Sequence, residues 1–260
     1  MQASVNNITI NYELEGPTNA PVVTFSHSLS ANLELWGLQL RELRDSYRVL
    51  RLDTRGHGKS SAPSGSYTMQ MLCEDVVSLL DHLEVEKTHF VGISMGGMIG
   101  QVLAIEHLQR IDKLVLCDTT SRVPPEAGPD WEDRIRKAEA EGMSALAQQI
   151  LERWLSEEYR RTQPEMTQRI RNMIAQTPVP GYVGCCRAIS RFDVAEQLPK
   201  VTAPTLIIVG EKDESTPVGV AEEIKRRIGG AELAVMPKAL HLTNIETVDL
   251  FNRRLLEFLG

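Results

Sequence analysis

Thr88-His89-Phe90-Val91-Gly92-Ile93-Ser94-Met95-Gly96-Gly97-Met98-Ile99-Gly100-Gln101 runs from a short apolar stretch through closely spaced glycines into an apolar stretch of helical length. The first part suits a strand buried on both faces. Between the two, Gly92-Ile93-Ser94-Met95-Gly96 matches G-x-S-x-G in the strand–turn–helix setting that gives this pattern its meaning. A serine there must adopt a strained turn that projects its Oγ from the top of the sheet. Bulk at Gly92 or Gly96 would strike the neighbouring strand and helix. A helix opening at Ser94 also aims its first N–H groups and positive dipole end at a developing oxyanion. The bland alternative is a glycine-rich turn that merely packs tightly; the flanking strand and helix favour the nucleophile.

Outward from this elbow, strands and helices alternate. SVNNITINYELEG (Ser4–Gly16) has the period-two pattern of a strand pair. PVVTFSH, YRVLRLDT and DKLVLCDTT read as further strands. Met71, Leu72, Val76, Leu79, Leu80 and Leu83 fall at helical spacing before the elbow strand. The rhythm stops near Ser121 in the Pro- and Gly-rich SRVPPEAGPD, and residues 131–190 are helical in pattern throughout. It resumes with APTLIIVGEKD, a helix over GVAEEIKRRI, a last strand in AELAVMP and a final helix in VDLFNRRLLEFL. This implies an α/β fold, a mostly parallel sheet with helices on both faces and a helical lid inserted after the sixth strand. The sheet core is expected over 1–120 and 196–260, with the lid over 121–195. Such a lid would cover the carboxyl edge, where open α/β sheets bind ligands.

Composition narrows the function. The 260 residues carry 28 Lys and Arg against 35 Asp and Glu, a formal charge of −7. That charge, with no basic cluster, argues against a nucleic-acid partner. No apolar run has the length of a membrane span. Met1–Ile10 has neither a positive flank nor a long apolar stretch, so no secretory signal is expected. Cys73, Cys117, Cys185 and Cys186 show neither a disulfide framework nor metal-ligand spacing. A cytoplasmic protein without a disulfide scaffold or a structural zinc site is expected.

A serine hydroxyl needs a base, and the base needs a carboxylate to hold its tautomer. His82, His89 and His107 fall within regular helix or strand patterns. His57 lies in a glycine-rich turn that it is better placed to support than to leave. His27 sits beside the loop after PVVTF, where a second oxyanion donor is expected. The chain order serine, acid, histidine selects His241, after the last strand. Two carboxylates stand at strand ends where the acid belongs, Asp213 after TLIIVG and Asp118 after LVLC.

The elbow, LDTRGHGKS, EKDESTP and HLTNIE together resemble the α/β-hydrolase family, in the family's order and across essentially the whole chain. The resemblance implies a triad of Ser94, Asp213 and His241, because Gly210, Asp213, Thr216 and Pro217 align with its G-x-x-D-x-x-T-P loop; some members carry the acid at the position of Asp118. It implies oxyanion donors at Met95 and Leu29, although Ser28 stands where many relatives have glycine.

FSHSLSANLELW, GISMGGMIGQ, ERWL, GYVGCCRAI and HLTNIE further resemble the 3-oxoadipate enol-lactonases. That resemblance implies cleavage of a small ester or lactone without a cofactor. Lys238-Ala239-Leu240-His241 departs from the glycine that many members have before the histidine. In the lid, Trp131, Arg134 and Trp154 are candidate substrate-binding residues, with Arg134 suited to a substrate carboxylate; Val183 and Met98 are further candidates. A general carboxylesterase, a cofactor-free perhydrolase and a non-catalytic ligand receptor are the rival readings.

Overall fold

The structure is a computed structural model describing residues 1–260. It opens with a hairpin, β1 (Gln2–Val5) and β2 (Ile8–Glu15), turned by Asn6 and Asn7 at φ 47° and 59°. Asparagine tolerates this left-handed turn, whose twist matches that of the strands. Next come β3 (Val22–Ser26), α1 (Gly37–Leu43), β4 (Arg48–Leu52) and α2 (Met69–His82), the last capped by the Thr68 hydroxyl accepting from Met71 N–H. β5 (Thr88–Ile93) feeds α3 (Met95–Glu106), and β6 (Ile111–Cys117) follows. Helices α4 (Gly128–Glu141), α5 (Met143–Trp154), α6 (Glu157–Thr162), α7 (Pro164–Ala175) and α8 (Val179–Ile189) form the insertion. The chain closes with β7 (Thr205–Gly210), α9 (Val218–Arg227), β8 (Glu232–Met236), the single turn α10 (Thr243–Glu246) and α11 (Val248–Leu259).

The eight strands form one sheet in the order β1-β2-β4-β3-β5-β6-β7-β8. Only the β1–β2 and β2–β4 pairs are antiparallel. From β4 to β8 every pair is parallel, so the carboxyl ends of β3, β5, β6 and β7 share one edge. β5 and β7 are buried at every position, as central parallel strands covered on both faces must be. α1 packs with α11 and α2 with α3, while α9 packs against β7, β8 and the turn Ala195–Lys200.

Two details differ from the sequence pattern. WEDRIRKAEAEGMSALAQQILERWL is not continuous helix, because Gly142 at φ 75° separates α4 from α5. The turn opens into α5 with Gly142 in a conformation that a residue with a Cβ rarely adopts. α1 and α10 carry no distinct periodic signal, being too short to show two full turns of apolar repeat. A single cluster of 77 buried apolar residues runs from the sheet into α4, α5, α7 and α8, so the insertion shares the sheet's core instead of forming its own.

Candidate active site

Ser94 sits between the last residue of β5 and the first of α3, at φ 55° and ψ −114°. Non-glycine residues rarely occupy positive φ, and here the surroundings enforce it. Ser94 N–H donates to the Cys117 carbonyl (2.8 Å), and the Thr119 hydroxyl donates to the Ser94 carbonyl (2.7 Å). A Cβ on Gly92 would lie 2.2 Å from the Gly96 carbonyl oxygen, and one on Gly96 would lie 2.2 Å from that of Ser26. Both glycines are therefore required by close backbone approach.

His241 reaches this serine from the loop between β8 and α10. Its Nε2 lies 2.9 Å from Ser94 Oγ, and its Nδ1 lies 2.7 Å from Asp213 Oδ2. A carboxylate only accepts, so Nδ1 carries the proton and Nε2 is left to accept from the serine hydroxyl. Asp213 is held in turn by Ser215 N–H, Thr216 N–H and the Thr216 hydroxyl, at 2.8, 3.2 and 2.6 Å. Burial raises the Asp213 pKa, but the charge and hydrogen bond of His241 and the donors of Thr216 outweigh it and bring the carboxyl down to about 2. Burial likewise opposes the charged imidazole, yet Asp213 and then Asp118 hold His241 above its usual 6.5.

Asp118 does not bond to the imidazole. Its Oδ1 accepts from Gly210 N–H (2.9 Å), and its Oδ2 accepts from the N–H and hydroxyl of Thr243 (3.3 and 2.5 Å). Burial and then the charge of Asp213 push its pKa up to about 8. Of the two carboxylates weighed from the sequence, Asp213 is the one brought to His241, while Asp118 fastens the histidine loop to the ends of β6 and β7. That fastening, and the Thr119 tether, had no sequence signal, because the partners are distant in the chain.

Met95 N–H is the first of α3 and has no carbonyl one helical turn earlier to bond. Leu29 N–H has no acceptor in the protein, and Leu29 lines the same cavity as Ser94 and His241. That cavity measures ≈ 590 Å³. Trp131, Arg134, Trp154, Met98 and Ser28 all border it, whereas Val183 is buried elsewhere and does not. Arg134 lies over the Trp131 ring, 4.7 Å from its centroid. Arg122, Arg153 and Tyr182 also line it and were not singled out from sequence, although ERWL and GYVGCC contain the latter two. Arg122 is engaged by Asp193 and Glu196, while Arg134 and Arg153 have no carboxylate within ion-pair distance. His57 Nδ1 meets the Arg55 carbonyl of its own turn (3.3 Å), and its Nε2 accepts from Ser30 N–H of the loop after β3 (3.0 Å).

A hydroxyl, an imidazole and a carboxylate in one line, below a cavity at the carboxyl edge of a mostly parallel sheet, make up a relay able to move a proton off the serine. The chain belongs to the alpha/beta hydrolase fold family, which it matches over residues 21–248. 3-Oxoadipate enol-lactonase 2 of Acinetobacter baylyi is 34% identical over 249 residues, covering 96% of this chain and 92% of that one. The crystal structure of the enol-lactonase from Burkholderia xenovorans LB400 is similar at a TM-score of 0.96 and 37% identity, covering 100% and 99% of the two chains. A thermophilic esterase from Thermogutta terrifontis, solved with malate bound, matches at a TM-score of 0.91 and 31% identity, covering 97% and 93%.

Proposed function

We propose that the protein is a serine hydrolase that opens a lactone, or cleaves a carboxylic ester, through an acyl-enzyme, with a 3-oxoadipate-type enol-lactone as substrate. The observation that carries this reading is the unbroken line Ser94 Oγ–His241 Nε2 (2.9 Å) and His241 Nδ1–Asp213 Oδ2 (2.7 Å) under one cavity. Ser94 Oγ attacks the carbonyl carbon as its proton passes to Nε2. The carbonyl electron pair moves onto oxygen, facing the N–H groups of Met95 and Leu29. Asp213 stabilises the imidazolium. When the tetrahedral adduct collapses, the ring oxygen leaves with the Nε2 proton, and ring opening keeps the leaving group attached to the acyl chain. Water deprotonated by His241 then attacks the ester carbonyl and releases Ser94.

The helices between β6 and β7 serve as the lid in this reading, with Trp131 and Trp154 as apolar walls and Arg134 facing the substrate carboxylate. The enol-lactonase relatives at 34–37% identity support the lactone over a simple ester. The deciding experiment compares kcat/KM for 3-oxoadipate enol-lactone with that for short aryl and alkyl esters, a carbamate, and peroxide plus a carboxylic acid. A preference for the lactone by orders of magnitude supports the reading. Comparable ester rates would make the protein a general carboxylesterase, peroxide-dependent oxidation a perhydrolase, and tight ligand retention without product a receptor. Ser94→Ala is expected to stay folded and lose turnover, and retained turnover would remove Ser94 from the mechanism.

A further inference from the structure

Behind the loop that presents Leu29 lie two imidazoles that the proposed chemistry does not use. His27 and His57 are fully buried, with ring centroids 5.1 Å apart. Neither borders the cavity. Each belongs to a different segment and bonds the other's backbone. His27, on the loop after β3, accepts from Thr54 N–H at Nε2 (2.9 Å). His57, on the turn after β4, accepts from Ser30 N–H at Nε2 (3.0 Å).

A backbone N–H can only donate, so in both neutral rings Nε2 is the acceptor and the proton is on Nδ1. His27 Nδ1–H then donates to the Ser28 carbonyl at 2.8 Å, and His57 Nδ1–H points to the Arg55 carbonyl at 3.3 Å. The consequence falls on Leu29. Ser28 C=O and Leu29 N–H belong to one trans peptide, whose carbonyl and N–H point in opposite directions. Pinning the carbonyl back toward His27 sends the N–H forward. The next peptide is pinned as well, through Ser30 N–H. The loop closes with Ala31 N–H donating to the Ser28 carbonyl (3.0 Å) and Ser30 at φ 65°. Positive φ at that position marks a type II turn, whose middle peptide is flipped relative to type I. His57 holds the flipped orientation. The buried hydroxyls of Ser26, Ser30 and Thr54 have no partner, so among side chains the two imidazoles alone orient these peptides.

We infer that His27 and His57 are positioning residues which aim the Leu29 N–H at the oxyanion by fixing the peptides on either side of Leu29. The inference rests on the acyl-transfer reading above. It separates the donor's identity, a backbone group that substitution cannot remove, from the side chains that set its direction. Burial is the main reason that both rings stay neutral, taking His27 down to about 4 and His57 to about 3, so the acceptor at Nε2 persists at neutral pH.

The test pairs two amides at position 27. His27→Asn carries an N–H near the place of Nδ1 and can keep the bond to the Ser28 carbonyl. His27→Gln carries an acceptor near the place of Nε2 and can keep the bond to Thr54 N–H but not the first. Turnover of 4-nitrophenyl acetate is measured together with inhibition by an aryl trifluoromethyl ketone, which forms a tetrahedral oxyanion on Ser94. Complete loss of one oxyanion donor costs about 10²–10³ in rate, so a misaimed donor in His27→Gln is expected to cost about 10–10² in kcat. KM should stay within about threefold, and ketone affinity should fall in step with kcat. His27→Asn is expected to return most of the loss. At the second ring, His57→Gln, which keeps an acceptor for Ser30 N–H, is expected to exceed His57→Leu in kcat. Equal kcat for His27→Asn and His27→Gln, or the reverse order, overturns the positioning role, as does a kcat loss without loss of ketone affinity. Labelling of wild-type Ser94 by a fluorophosphonate keeps the two readings apart. A wild-type chain that turns over no ester and takes no label overturns the hydrolase reading and this inference together, whereas an active, labelled enzyme with indifferent variants overturns the inference alone.

Discussion

In the proposed mechanism His241 must be neutral to take the serine proton and charged an instant later, and its neighbours favour the second condition. Because its pKa is held above 6.5, the free base is lost as pH falls through a value above 6.5, and kcat/KM should fall with it. In Asp213→Asn the charge is removed and an amide that can donate to Nδ1 replaces the obligatory acceptor, while burial remains. The acid limb should therefore move to lower pH, and kcat should drop by about 10⁴ as the ring loses its tautomer. pH–rate profiles of the two proteins check both points; an unmoved limb would assign it to another group. Arg134 is tested by its charge. Arg134→Gln should raise KM for a carboxylate-bearing lactone by about tenfold or more, the scale of one charge-assisted hydrogen bond, and change KM for a neutral ester by less than about threefold. Equal effects on both substrates would make Arg134 a packing residue. Ser94, His241 and Asp213 were legible because each lies in a short local pattern at a strand end. Asp118 was legible as a carboxylate but not as a fastener, since Gly210 and Thr243 lie 92 and 125 residues further along the chain.

In the helical insertion, α8 seats against the turn after β4. Gly181 in α8 meets Gly56 in the turn after β4 so closely that a Cβ on Gly181 would lie 2.0 Å from the Gly56 carbonyl oxygen. Nearby, Tyr67 N–H donates to the Gly184 carbonyl (3.3 Å), and the buried Arg55–Asp75 pair stiffens the same turn. GYVGCCRAI was visible in the sequence as part of a family resemblance, and these close approaches give Gly181 and Gly184 a physical reason. Gly181→Ala should destabilise the fold by about 1–3 kcal/mol, because rigid backbone must move to admit the methyl group. Gly219→Ala is the control, since a Cβ there meets nothing within 4 Å, and it should leave stability unchanged or raise it by up to about 1 kcal/mol. Urea unfolding of both variants decides, and equal midpoints would show that the glycine contact is not needed. The succession of strands and helices along the chain was readable because buried parallel strands leave unbroken apolar runs. The break at Gly142 and the turn α10 were not, since a single residue or a single turn carries no period.

Buried titratable groups make the stability of the whole chain depend on pH, and their signs compete. His27 and His57 refuse protons in the folded state until about pH 4 and about pH 3, whereas in the unfolded chain each takes one up near 6.5. Acidification below 6.5 therefore favours unfolding through both rings. Asp118 acts the other way. Its folded pKa of about 8 lies above the usual 3.8, so between these values the folded chain holds a proton that the unfolded chain lacks, and acidification favours folding. His241, also raised, adds to Asp118 above 6.5. From pH 8 down to 6.5 stability should rise. From 6.5 to about 4 the imidazoles of His27 and His57, joined by His89, which burial also lowers, outweigh the one carboxyl by at least one proton, so it should fall by about 1.4 kcal/mol per pH unit or more. Stability is thus expected to peak near pH 6.5, with about 2 kcal/mol lost by pH 5. His57→Gln removes one of these rings, so its slope over that interval should be shallower by about 1.4 kcal/mol per pH unit despite any offset at neutral pH. Urea denaturation at pH 5, 6.5 and 8 measures both curves. A wild-type slope that persists unchanged in His57→Gln would mean that the buried pair does not set the acid limit of this fold.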